Sequence, residues 1–246
     1  MQNSQRLTLF FSSIVLILLS GCVSHPKLDS TPDGYIKNYE QMTAVKGTDG
    51  IIQDRWASPE LNNAHNPLEP VSLLIKPVIY FPKFDSQSQF MKANANKITT
   101  YLTDQMQKTA AKYFPLTDTP TAGTFIIAPA ITQVMISSEG IRPTEILPVG
   151  AVIGIGKHLL GTRDKDVEIR LENNVTLADD NRLLATSVFR GEGLQLENNR
   201  EQLSIKHLKP LFNAWIAQWD RELASYKQII DKRHDSIANT GAAASN

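Results

Sequence analysis

Cys22 is the only thiol of this 246-residue chain, and it directly follows Leu19-Ser20-Gly21 at the end of an apolar run that starts at Leu7. A lone thiol has no disulfide partner, so its chemistry is that of a nucleophile that can be alkylated or acylated. The other groups that could do chemistry do not fall into working patterns. His25, His65, His158, His207 and His234 include no pair at metal-ligand spacing, and no metal or other cofactor is expected. Gly150 to His158 reads GAVIGIGKH and invites a phosphate-loop reading. Ala151 occupies the first glycine position and His158 replaces the hydroxyl that binds magnesium, so nucleotide binding is not expected. No Gly-x-Ser-x-Gly elbow is present. Asp85, Glu139 and Glu145 fall in expected loops, where paired carboxylates could cleave glycans, although solvated loop acids are the plainer reading. Arg55 and Trp56 read as a core tryptophan beside an arginine whose stem covers it, in preference to a surface stack.

The apolar run from Leu7 to Leu19 has the length of a signal-peptide core and is short of the roughly 20 residues a spanning helix needs. Leu19-Ser20-Gly21-Cys22 resembles a bacterial lipobox. That resemblance implies that the Cys22 sulfur receives a diacylglycerol, that residues 1–21 are removed as a signal peptide, and that the new amino group is acylated, commonly with palmitate. Cys22 would then be the membrane anchor. In enterobacterial lipoproteins an aspartate after the cysteine retains the protein at the inner membrane. Val23 is not that signal, so the periplasmic face of the outer membrane is the expected location.

Without residues 1–21 the chain carries 24 Lys and Arg against 25 Asp and Glu, so no basic excess points to nucleic acid. Residues 22–34 contain two prolines and small polar groups and read as the lipidated cysteine with a flexible tether. Residues 35–235 are expected to form a single domain, and 236–246 a disordered tail.

Within that domain Val71–Phe81 is apolar and β-branched, with Pro77 marking an edge or bulge. From Gln87 to Phe114 apolar groups recur at three-and-four spacing, ahead of Pro115, which predicts a helix. Thr124–Ile136 reads as a strand broken at Pro129. In Val167–Leu177 the apolar side chains Val167, Ile169, Leu171, Val175 and Leu177 alternate with Glu168, Arg170, Glu172 and Thr176, which predicts one buried and one wet face. Asp179-Asp180-Asn181 turns this strand into a partner at Leu183–Leu194. A last helix carries Leu208, Phe212, Trp215, Trp219 and Leu223 on one stripe, with both tryptophans packing on the sheet. Pro210 predicts a kink or a start later than the cap Ser204. The order predicts an α+β two-layer sandwich, an antiparallel or mixed sheet with helices packed on one face.

Gly34-Tyr35-Ile36-Lys37-Asn38-Tyr39-Glu40-Gln41-Met42, Arg55-Trp56-Ala57-Ser58-Pro59 and Ile75-Lys76-Pro77-Val78 resemble the start of the DUF3313 lipoproteins. The likeness continues through Pro148-Val149-Gly150, the hairpin and the Trp215 helix, and departs at Ala178-Asp179-Asp180-Asn181, where a Thr-Gly turn is expected. It implies a Gram-negative lipoprotein and transfers no catalytic residue.

The function expected from the sequence is a non-enzymatic scaffold or accessory subunit of a cell-envelope assembly. The alternative is a periplasmic enzyme acting on cell-wall or envelope substrates. Partners are the membrane, through Cys22, and an envelope protein near it. Ile146–Leu160 is apolar and too short to span a bilayer. It reads as a buried cover for the sheet or as an exposed contact patch, in which Val152 and Ile155 are the candidate interaction residues.

Overall fold

The computed structural model describes residues 34–47, 51–63, 65–83, 89–138, 165–197 and 201–244. They form β1 (Thr43–Lys46), β2 (Ile52–Ala57), β3 (Ser72–Ile75), β4 (Ile79–Tyr80), α1 (Gln89–Ala110), β5 (Thr124–Ser138), β6 (Lys165–Leu177), β7 (Leu183–Glu192) and α2 (Ile205–Ala244). The seven strands make one sheet in the order β1-β2-β7-β6-β5-β3, with β4 also pairing β5. Pairing is antiparallel except for β3 and β4, which run parallel to β5. Parallel neighbours need a crossover, and α1 supplies it. Leu102 and Met106 of α1 and Leu208, Phe212 and Trp215 of α2 share one core with Phe125, Leu171 and Phe189 of the sheet. The chain is thus the expected α+β sandwich with a mixed sheet.

Two prolines shape its edge. The stretch Val71–Phe81 is two short strands instead of one, because Ile75 pairs with Ile127 and Ile79 with Ala130, leaving Pro77 in the gap between. Pro129 lies on the facing side of the same gap while pairing with Asn173 of β6, so β5 continues through it. Ile127 O and Ile131 O both accept bonds from the β3–β4 side, from Lys76 and Phe81. Backbone groups alternate along a strand, so the absent N–H of Pro129 falls on that side too, where no ladder bond is lost.

The hairpin forms where expected. At its turn Asn181 has φ 57°, the left-handed conformation that asparagine tolerates, and so fills the place of the absent glycine. The outer face of β6 is drier than its alternation predicts, because the segment from Tyr35 to Gln41 crosses it. Tyr39 Oη donates to Glu172 at 2.5 Å, Thr132 Oγ1 donates to the same carboxylate at 2.9 Å, and Glu172 is 1% exposed. Burial first, then the bond to Glu172, hold the Tyr39 phenol well above its ordinary pKa.

Helix α2 starts directly after Ser204 and includes Pro210, so the later start does not occur. His207 explains the start: its Nδ1 accepts from the Ser204 N–H at 3.0 Å while the His207 N–H donates to Ser204 O at 3.1 Å. This is one half of a capping box, the third residue's side chain reaching back to the cap N–H, with histidine in the usual Glu or Gln position. Close helix–sheet approach needs Gly191 and Gly193, where an added Cβ would meet Leu211 Cδ1 at 2.5 Å and His207 O at 2.9 Å. The helix also runs to Ala244, through most of the stretch expected as a frayed tail. Its alanines have high helix propensity and extend turns that packing has already nucleated.

Candidate functional site

Side chains alternate across a strand, so the register fixes which residues face the helices. On that face β6 presents Leu171, Asn173 and Val175, and β7 sets Phe189, Ser187 and Ala185 opposite them. Next along, β2 contributes Gln53, Arg55 and Ala57. The middle row, Arg55-Ser187-Asn173, is polar across three strands of an otherwise largely apolar face.

The sheet and helices do not close over this row. A cavity of about 560 Å3 lies between them, within the roughly 300–1,000 Å3 typical of small-molecule sites. Val175, Ala185 and Ser187 on the sheet and Ile216, Trp219 and Leu223 on α2 line it and stay only partly buried. Trp215 packs as expected, 2% exposed, with its ring 5.8 Å from Phe189 and 5.6 Å from Phe212. Trp219 packs against the same core but stays half-buried and contributes a wall of the cavity.

Four lining residues carry an unpaired polar atom. One, Thr186 Oγ1, sits at a β7 position that alternates away from the helices, between Ala185 and Ser187. The other three belong to the helix–sheet side. Gln53 Oε1, Asn173 Oδ1 and Trp215 Nε1 are buried and have no hydrogen-bond partner among the described residues. Their residues are 2%, 7% and 2% exposed. Asn173 Nδ2 donates to Ser187 Oγ at 3.1 Å, which leaves the amide oxygen as the unused end. An unpaired buried polar group costs about 1–3 kcal/mol. Three such atoms around one cavity destabilise the fold unless something inside the cavity bonds them.

The charged lining residues are Arg55 and Glu222. Arg55 reaches from β2 to Glu222 on α2, 3.8 Å away, with half its side chain in solvent. It therefore bridges the two layers at the rim and does not lie along a core Trp56, which is itself half-buried in the lining. Burial, then the charge of Glu69, keep the Tyr226 phenol above its ordinary pKa, and its hydroxyl donates to Leu68 O. The buried lining is accordingly neutral at physiological pH: amides, a serine, an indole and hydrocarbon. Among the described residues no three His, Cys, Asp or Glu side chains are grouped as metal ligands.

The sequence-derived site residues are not among those described. Cys22 with Leu19, Ser20 and Gly21, and Val152 and Ile155 of the apolar segment, lie outside the described residues, as do Asp85, Glu139 and Glu145. The cavity residues did leave a mark in the sequence. Asn173 interrupts the apolar alternation of Val167, Ile169, Leu171, Val175 and Leu177, and a polar residue in the middle of a core-facing row is that signal.

Fold and site together define an α+β sandwich with a ligand-sized neutral cavity between its layers. The chain belongs to the family described as "Protein of unknown function (DUF3313)", whose model matches residues 31–219. It is 26% identical over 198 residues, 80% of its own length and 87% of the relative's, to "Uncharacterized lipoprotein YdcL" of Escherichia coli K12, and equally to the YdcL of strain O157:H7. Among solved structures it is similar to the PelC dodecamer from Paraburkholderia phytofirmans, with 5% identity, a TM-score of 0.34 and coverage of 72% of this chain and 96% of that one. The hypothetical protein CT253 from Chlamydia trachomatis gives 11% identity, a TM-score of 0.32 and coverage of 63% and 99%. Neither overlap is close enough to carry a conclusion.

Proposed function

We propose that this protein is a lipid-anchored envelope lipoprotein whose body binds a small apolar molecule and does no covalent chemistry on it. The anchor is supported by the lipobox-like string ending at Cys22 and by the lipoprotein name of its relatives in Escherichia coli. Its location in this reading is the periplasmic face of the outer membrane, in keeping with Val23. The binding half is carried by the cavity with its unpaired amide and indole groups. Proton transfer and nucleophilic attack need a base or an activated nucleophile at the reacting atom. The buried lining supplies hydrogen-bonding and hydrocarbon groups in their place. The tether of about a dozen residues spans at most ~40 Å, so an accessory subunit of this kind holds its ligand close to the membrane.

Palmitate labelling should mark the wild-type chain and leave Cys22→Ser unmarked. Label on the variant, or wild-type protein found in the inner membrane alone, would overturn the anchor or its location. For binding, the full chain is taken from membranes into nanodiscs, extracted with organic solvent, and the extract read by mass spectrometry. A molecule retained near one per chain, and returned unchanged after incubation with emptied protein, is expected. Its conversion to a product would make the protein a catalyst, and a cooperatively folded protein that retains nothing would end the binding reading.

A further inference from the structure

We infer that the cavity takes an uncharged single-chain amphiphile, a hydrocarbon body whose one hydroxyl or amide group donates to the amide oxygen of Asn173 or Gln53 and accepts from the Trp215 N–H. This rests on the binding reading above and adds the class of ligand. Size comes first. A volume of about 560 Å3, at roughly 30 Å3 per water-sized group, holds on the order of 15–20 non-hydrogen atoms, the size of one short chain.

Chemistry narrows it further. Phe125, Ile127, Leu171, Val175, Trp219 and Leu223 offer hydrocarbon and aromatic surface to the chain. The unpaired atoms on the helix–sheet side are two carbonyl acceptors and one N–H donor, each on a residue more than nine-tenths buried, whereas the Thr186 hydroxyl sits at a strand position facing away from the helices. A hydroxyl or a primary amide donates and accepts at once, so one such group can bond an amide oxygen and the indole N–H together. A carboxylate only accepts. It would face two carbonyl oxygens with no cation to offset its burial, because Arg55 stands at the rim against Glu222. An alkane leaves all three atoms unpaired.

Trp215 and Trp219 of α2 both line this cavity, so their indole emission reports its occupancy. The full chain in phosphatidylcholine nanodiscs is titrated with ω-bromoundecanol, ω-bromoundecanoate or bromoundecane at matched concentrations in the bilayer, bromine quenching the indoles on contact. The alcohol should quench saturably, at a half-saturation at least about tenfold below those of the other two probes. Asn173→Leu keeps the volume and removes the acceptor. It should erase that preference while bromoundecane still quenches saturably, which also shows the variant folded. Equal half-saturation for alcohol and carboxylate, or a preference that survives in both Asn173→Leu and Gln53→Leu, would overturn the inference and leave the binding reading standing. Quenching by all three probes that rises linearly without saturation would overturn both.

Discussion

Replacing Trp215 by alanine and by phenylalanine separates two opposed effects of one side chain. A buried indole removes about 200 Å2 from water, worth ~5 kcal/mol at about 25 cal/mol/Å2, and this area-based figure is an upper bound. The tilted pairs with Phe189 at 5.8 Å and Phe212 at 5.6 Å add about 0.5–1.5 kcal/mol each. Against this, deleting the unpaired Nε1–H returns about 1–3 kcal/mol. Trp215→Ala should therefore cost about 3–5 kcal/mol, the range found for large buried aromatics. Trp215→Phe keeps a ring for both pairs and removes the unpaired donor, so it should stay within about 1 kcal/mol of wild type. Urea unfolding of the full chain, followed by far-ultraviolet circular dichroism with an unchanged denaturant slope, measures both. If phenylalanine costs as much as alanine in chains emptied of any bound molecule, the indole N–H has a partner within the protein and the account of the cavity is wrong. If alanine costs under about 1 kcal/mol, the ring does not pack.

The remaining expectations concern the supports around the cavity. Tyr39→Phe leaves the Glu172 carboxylate, 1% exposed, with one donor fewer and should cost about 1.5–3 kcal/mol in the same titration; an unchanged midpoint would mean that water reaches it. Glu201 is held down to a pKa of about 2 by hydrogen bonds from Lys206, the Glu197 N–H and His207, below its ordinary 4.5. A depressed carboxyl stabilises fully above its unfolded value and loses that contribution as pH falls through its folded one. Glu201→Gln should thus have a lower melting temperature than wild type at neutral pH, with the gap closing between about pH 4.5 and 2; a constant gap would refute the ion pairing. Gly193→Ala presses its Cβ on the His207 backbone and should cost about 1–3 kcal/mol, whereas Gly191→Ala meets only the end of Leu211 and should cost less. The reverse order in thermal melts would show that Leu211 cannot move.

The elements that the sequence made legible are those whose burial depends on their own period. The β6–β7 hairpin and the Trp215 stripe were readable because one face of each meets a single layer. Pro77 and Pro129 each look like a flaw when read alone. Their agreement across the β3–β5 gap is a relation between residues 52 positions apart, visible only once the strands are paired. The burial of Glu172 is non-local too, since the cover comes from Tyr39. Asn173 was visible in the sequence but had no meaning until Ser187 was seen beside it on β7 and Gln53 on the same face one strand further, in β2.

Helix α2 has 40 residues and so measures about 60 Å, whereas a folded body of some 200 residues has a radius of gyration of ~16 Å and a diameter nearer 40–45 Å. The rod is longer than the body it braces. Its core-facing stripe ends at Ile230, fully buried, and beyond that point His234 is tied to Glu69 at 2.8 Å while most residues around it are exposed. The packed turns act as a seed, and the overhang is a series of propagation steps that requires no nucleus of its own. Opening should then be graded in place of all-or-none. Deuterium would invade α2 from its C-terminal end inward, one turn after another, and the front would halt near Ile230.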